Sequence, residues 1–349
     1  MWRAALMSVL ALVSFLAAGE VVFRVLPVST ATKTGFYLDP LIRSYPPRHA
    51  WTAATGWDLR NAQRVVANNA GFVSDRDFVA DEHAVALIGD SYVESSMLAA
   101  NDRLGAQLQR ALGPGRQVYA MGSPGTSLLD YAERVRLAKQ SWGVRTFVLL
   151  VEAGDLVQAL CNSGNVDGPC LDPQTLSLRQ VHHPPSSWAK EVARHSALAQ
   201  YVFSQLKFDA SRLWRQAVQQ SQPAQGHKVG NAAIAAKAPA AAAAAAADLR
   251  MVAAVTHHFF DRVGSDVARG LVVVLDGERG GADRHPAERQ RFIELILAAG
   301  AQVVDADPIF RAHLASSALK LEVGTNDRHL NPLGLSLIAA PVATLLAGH

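Results

Sequence analysis

The sequence predicts an α/β domain built on a five-stranded parallel sheet with helices on both faces. Three observations predict it. Short, nearly continuous apolar runs recur at 84–89, 117–121, 146–151, 271–275 and 301–305, the pattern of strands covered on both sides. Segments of helical character separate or follow them, at 101–112, 128–142, 286–299 and 332–347. Strand and helix therefore alternate, which favours parallel pairing through crossover helices.

Each element has a local reason. Val85-Ala86-Leu87-Ile88 runs into Gly89-Asp90-Ser91, so a buried strand ends in a tight turn with a helix starting just beyond it. Leu104, Leu108 and Leu112 recur at helical spacing, and Gly113-Pro114-Gly115 stops that helix. After the second strand comes a glycine loop, Gly122-Ser123-Pro124-Gly125-Thr126-Ser127, and the helix after it ends at Gly143. The third strand closes in Glu152-Ala153-Gly154-Asp155-Leu156. The helix after the fourth strand begins with Pro286, where a missing N–H costs nothing. The interval 161–263 breaks the alternation. We expect a loose insertion over 221–238, within an Ala/Gln/Pro-rich stretch at 219–247, and then a helix over 240–262.

The chain has 349 residues, half of them hydrophobic, with a formal net charge of +3. No basic run carries interleaved aromatics, so nucleic acid is not an expected partner. No tandem repeat is present. At the N-terminus, 4–19 is apolar apart from Ser8 and Ser14, and 21–28 adds more apolar residues around Arg24. Two readings compete: a cleaved signal peptide, with the small residues Ala17 and Gly19 before a possible cut, and an uncleaved membrane anchor. The anchor is favoured because the apolar run resumes past the only plausible cut. Either reading exports the rest, to the periplasm or cell surface. Pro27, Pro40, Pro46 and Pro47 break the next stretch into short pieces. The expected organisation is therefore a membrane anchor or signal segment at 1–28, an irregular linker and extension at 29–82, and the α/β domain at 83–349.

Chemistry concentrates at two places. Ser91 stands at the carboxyl end of a strand and near a helix N-terminus, where open α/β sheets bind ligands and backbone N–H groups stabilise negative charge. A serine there needs a base. Asn326-Asp327-Arg328-His329-Leu330-Asn331-Pro332, expected as a loop before the last helix, offers His329, with Asp327 two residues earlier to orient it. At a spacing of three, Asn326 would orient the ring without the charge. Cys161 and Cys170, the only cysteines, bracket a flexible loop and read as a disulfide in an exported domain. The neighbouring pairs His182-His183 and His257-His258 point apart along a regular backbone, which makes poor metal sites. No metal or cofactor is expected.

Gly89-Asp90-Ser91 and Asp327-Arg328-His329, in this order and this far apart, resemble the SGNH (GDSL-type) hydrolases. The resemblance implies a three-layer α/β/α domain with a five-stranded parallel, flavodoxin-like sheet, and a serine esterase with Ser91 as nucleophile, His329 as base and Asp327 as orienting acid. It implies oxyanion donors at the Ser91 N–H and at the Gly125 N–H, with Gly122 as fallback. The asparagine that often precedes that loop is replaced here by Ala120 or Met121. The family's Gly-x-Asn-Asp block reads Glu152-Ala153-Gly154-Asp155, so Gly154 stands where a third donor, Asn, is expected. Asn162 is the nearest substitute. Asn68 and Asn69 with Gly71 and Phe72 resemble an Asn-x-x-Gly-Phe turn that lies upstream of the serine in a membrane-anchored subgroup and packs beside it. Members of that shape often act on O-acetyl groups of surface polysaccharides, so the implied partner is an ester-bearing carbohydrate. A transferase passing the acyl group to a sugar hydroxyl, and a non-catalytic carbohydrate-binding or assembly protein, are the rival readings.

Overall fold

The computed structural model describes residues 2–30, 34–59, 61–163, 167–182, 187–206, 232–280, 285–324 and 327–348. The chain divides into two compact units. One comprises Met1–Thr32, Trp51–Val65 and Pro184–Ala244; the other comprises Lys33–Ala50, Val66–His183 and Ala245–His349.

The larger unit holds the sheet. Its strands are β1 (Val85–Gly89), β2 (Val118–Gly122), β3 (Thr146–Val151), β4 (Leu271–Leu275) and β5 (Gln302–Asp305). They lie in the order β2-β1-β3-β4-β5, and every pairing is parallel. Register is set by alternation. Ala86 and Ile88 face one core with Phe147, Leu149, Val273 and Phe259. Val85 and Leu87 face the other with Val148, Leu150, Val272 and Phe310. The helices Leu128–Trp142 and Pro286–Ala298, with Met251–Val263 of the helix Ala232–Val263, cover the first face. Leu104–Leu112, Ala306–Ser316 and Pro332–Ala347 cover the second. This is the three-layer α/β/α fold, and its order places the topological switch between β1 and β3, where such sheets bind ligands.

Several expectations are corrected. The helix expected over 101–112 is a single 3₁₀ turn, Ala100–Asp102, followed by Leu104–Leu112. The insertion is helical from Ala232, not loose to 238, because alanine favours helix even without an apolar stripe. The part of the expected insertion before residue 232 lies outside the described residues. The helix Ala306–Ser316 was not anticipated. Its start is capped by Asp305, whose side chain accepts from the Asp307 N–H at 2.9 Å.

The stretch 29–82 is not a plain linker, since parts of it are core. Phe72 and Phe78 are buried in the same cluster as Ala86 and Ile88. Asn68 makes the expected turn: its Oδ1 accepts from the Ala70 and Phe72 N–H groups, at 2.9 and 3.0 Å. Gly71 adopts φ +77°, and a Cβ there would lie 2.0 Å from the Tyr45 carbonyl oxygen, so only glycine fits. Tyr45 in turn donates its N–H to the Gly71 carbonyl at 2.9 Å and its hydroxyl to Glu94 at 2.8 Å. The turn thus reaches the serine through Tyr45 and the Ser91–Glu94 helix.

Glu94 is fully buried, and burial pushes its carboxyl up to about 7. Below its ordinary value of 4.5 both folded and unfolded chains carry the proton; between 4.5 and about 7 only the folded chain does. Stability from this group is therefore present at acid pH and is lost as pH rises through about 7, by an amount on the order of 3 kcal/mol. Thermal denaturation should show a higher Tm near pH 5 than near pH 8, and Glu94→Gln should flatten the difference. A slope unchanged in the variant would assign it to other groups.

Candidate active site

Several functional candidates come directly after strand ends. Gly89 leads to Asp90-Ser91, Val151 to Glu152, and Leu275 to Asp276. Asp90 caps the Ser91–Glu94 helix, its Oδ1 accepting from the Tyr92 N–H at 2.8 Å. Burial raises the Asp90 carboxyl.

Asp327 and His329 lie on a strand, Asp327–Leu330, paired antiparallel with Glu322–Gly324. This corrects the expected loop. It also explains the spacing, because residues two apart on a strand point to one face. Asp327 Oδ1 lies 2.5 Å from His329 Nδ1 and accepts from the His329 N–H at 3.1 Å. His329 Nε2 lies 2.8 Å from Ser91 Oγ. With Nδ1 protonated toward the carboxylate, Nε2 is the acceptor and the Ser91 hydroxyl the donor. Ser91 Oγ is also 3.2 Å from Asp90 Oδ2, and its single proton serves one acceptor at a time. Residues 238 positions apart thus meet at the sheet edge. Asn326, the alternative orienting residue, lies outside the described residues.

The loop after β2 is fastened to the serine turn. The Ser123 N–H donates to the Gly89 carbonyl at 3.2 Å. Gly125 has φ +66°, a conformation that favours glycine. Gly122 is closely packed: a Cβ there would lie 2.3 Å from the Glu94 nitrogen. Gly154 sits in the first turn of the helix Ala153–Gln158, and its N–H is already held by Glu152 Oε2 at 2.8 Å. The structure therefore does not leave Gly154 a free donor. Asn162 is exposed in the turn after Cys161. Cys161 and Cys170 form a disulfide with Cα atoms 4.9 Å apart. His257 and His258 adjoin on one helix, His182 faces Asp167 at 3.6 Å, and His183 lies outside the described residues. Among the described residues no group of three His, Cys, Asp or Glu side chains could hold a metal ion.

Three residues escaped the sequence reading. Arg134 is fully buried and donates Nη1 to the carbonyls of Gly89 and Met121, at 2.6 and 3.0 Å. It binds together the strand ends that lead to Ser91 and to the Gly125 loop. Tyr92 packs its ring 4.7 Å from the His329 ring and donates its hydroxyl to the Arg328 carbonyl at 3.3 Å. Arg279, ion-paired with Asp276, stacks 5.5 Å from the Tyr92 ring centre. No signal short of the fold marks Arg134 and Tyr92, since their partners are main-chain carbonyls or a ring distant in sequence; Arg279 has a near partner in Asp276, but its place over Tyr92 is non-local.

An open cleft of about 410 Å³ adjoins the triad, lined among others by Tyr92, Glu152, Gly154, Asp276, Arg279 and Arg328. Charges of both signs and main-chain groups line it. Burial raises the Glu152 carboxyl.

A serine hydroxyl aligned on a carboxylate-backed imidazole, beside a glycine loop and an open polar cleft, is the equipment for acyl transfer through a covalent intermediate. No protein-family profile matches the sequence, and no curated protein does. Some solved structures resemble the chain in part. One is an alpha/beta hydrolase enzyme from the metagenome of Lake Arreo, Spain, 12% identical, with a TM-score of 0.39, covering 77% of this chain and 97% of its own. Another is a carbohydrate acetylesterase family member from Sinorhizobium meliloti, 11% identical, TM-score 0.35, covering 76% and 99%. A third is a member of the lipolytic protein G-D-S-L family from Veillonella parvula, 10% identical, TM-score 0.34, covering 75% and 96%. These scores describe a likeness and say nothing of this chain's substrate.

Proposed function

We propose that this chain is a serine esterase of the SGNH type, held at a membrane by its N-terminal helix and cleaving O-acyl, in particular O-acetyl, esters of a carbohydrate. The observation that carries the reading is the Ser91–His329–Asp327 alignment, at 2.8 and 2.5 Å. Ser91 Oγ attacks the ester carbonyl as its proton passes to His329 Nε2, and Asp327 stabilises the imidazolium. The tetrahedral oxyanion is received by the N–H groups of Ser91 and Gly125. His329 returns the proton to the leaving alkoxide, and the acyl group stays on Ser91. Water, activated by the same imidazole, then releases the acid. The mixed-charge cleft suits a polyhydroxylated leaving group, which hydrogen-bonds to donors and acceptors alike. A fluorophosphonate probe tests the nucleophile: it should label the full-length protein at Ser91, as located by peptide mass spectrometry. Labelling elsewhere, or none, would return the chain to the non-catalytic reading.

The oxyanion site is short of one donor. A Cβ at Gly154 would lie 2.5 Å from Glu152 Oε2, so Gly154→Asn must displace the carboxylate that caps the helix. We expect little gain in aryl acetate turnover from Gly154→Asn alone. In a Glu152→Ala background the new carboxamide has room, and a gain on the order of a hundredfold results if it reaches the oxyanion. Equal turnover in both backgrounds would show that Glu152 does not set the limit.

A further inference from the structure

The N-terminal helix, Trp2–Val25, is long and apolar enough to cross a membrane, with mean hydropathy 2.2 in its most apolar window and none of that window buried. Its last turn is not free. Glu20 Oε2 accepts from the Ser196 hydroxyl at 2.8 Å and the Leu198 N–H at 3.1 Å, while Oε1 accepts from the Ala197 N–H at 3.0 Å. Arg24 donates to the His195 carbonyl at 3.2 Å, and Phe23 stacks on Tyr201 at 4.3 Å. Glu20, Phe23 and Arg24 form one stripe at helical spacing. The stripe fastens a second segment, the helix Trp188–Arg194 and the turns from Ala197 to Gln205. Tyr201 extends the contact by donating its hydroxyl to the Trp57 carbonyl at 2.9 Å.

This segment and the Trp57 it touches expose several large apolar side chains. Trp188 is 80% exposed and Val192 61%, four residues on along the same helix; Phe203 is 58% exposed, and Trp57 76%. Large exposed apolar side chains on so short a segment call for a reason. Their position along the membrane helix supplies one. Helix rise places Glu20 to Val25 over only about 7 Å, so whatever is fastened there lies in the headgroup layer, if the helix spans. Tryptophan is at home at that depth.

We propose that Trp188, Val192 and Phe203, with Trp57, form a collar that inserts into the lipid interface around the membrane helix. The inference rests on the reading of Trp2–Val25 as a membrane span. The collar would hold its unit at a fixed depth rather than on a free tether, by burying apolar area in the acyl boundary.

The test uses the full-length chain in phosphatidylcholine–phosphatidylglycerol vesicles whose lipids are brominated either high in the acyl chain or near its end. The emission of Trp188 is taken as the difference between wild type and Trp188→Phe. Bromines high in the chain should lower it about twofold, and bromines near the chain end less, as for an interfacial tryptophan. Val192→Asp/Phe203→Asp should weaken the effect while the protein stays in the vesicles after an alkaline wash. Loss of the protein in that wash would overturn the span and the collar together. Retention with Trp188 unquenched would overturn the collar alone and point to a protein partner for this face.

Discussion

Ser91→Ala abolishes ester turnover, with an expected loss of about a million-fold in kcat. The reason is chemical rather than structural. In the proposed reaction the hydroxyl oxygen forms the acyl bond, and no other described nucleophile stands 2.8 Å from His329 Nε2. Alanine removes one atom from a half-buried position, and the cap bond from the Tyr92 N–H to Asp90 remains. The variant should therefore melt as wild type does while losing both aryl acetate hydrolysis and fluorophosphonate labelling. Any residual activity comes from oxyanion donors acting on a directly attacking water. Turnover of Ser91→Ala equal to wild type would end the esterase reading.

Asp327→Asn should cost about ten-thousand-fold in kcat. Asp327 Oδ1 makes two contacts, to the ring Nδ1 and to the backbone N–H of His329. An amide can keep the backbone contact, so the hairpin should survive. It cannot hold the ring with the same certainty, since its NH₂ also fits an unprotonated Nδ1. That arrangement puts the ring proton on Nε2, which then cannot accept from Ser91. The amide also lacks the charge that stabilises the imidazolium. Turnover of an aryl acetate, with the melting temperature as control, decides it. A loss below about tenfold would pass the orienting role to another residue, with Asn326 the first to examine.

The sheet was legible because its strands are buried on both faces and its helices carry capping and stop residues. Ser91, His329 and Asp327 were legible because each residue type is restricted chemically and stands in a short motif. The hairpin that presents His329 was not. Glu322–Gly324 and Asp327–Leu330 are too short and too polar to announce strands, and their pairing is a non-local fact. The Gly154 shortfall was visible as a missing side chain, but not that Glu152 occupies its N–H, since that depends on the helix turn begun at Ala153.

By itself the sequence determined the alternation of apolar strands and helices, the candidate reacting groups, the cysteine pair and the apolar N-terminal helix. These depend on local composition and spacing, which act within a few residues. Only the tertiary structure decided that Arg134 clamps the strand ends beneath Ser91 and that Tyr45 carries the Asn68 turn to Glu94. It alone decided that Glu20 holds Ser196 near the end of the N-terminal helix. Each of those is a buried or charged group meeting a partner tens to hundreds of residues away. Burial makes an unpaired polar group costly, but which partner removes that cost is settled only when the chain has closed around it.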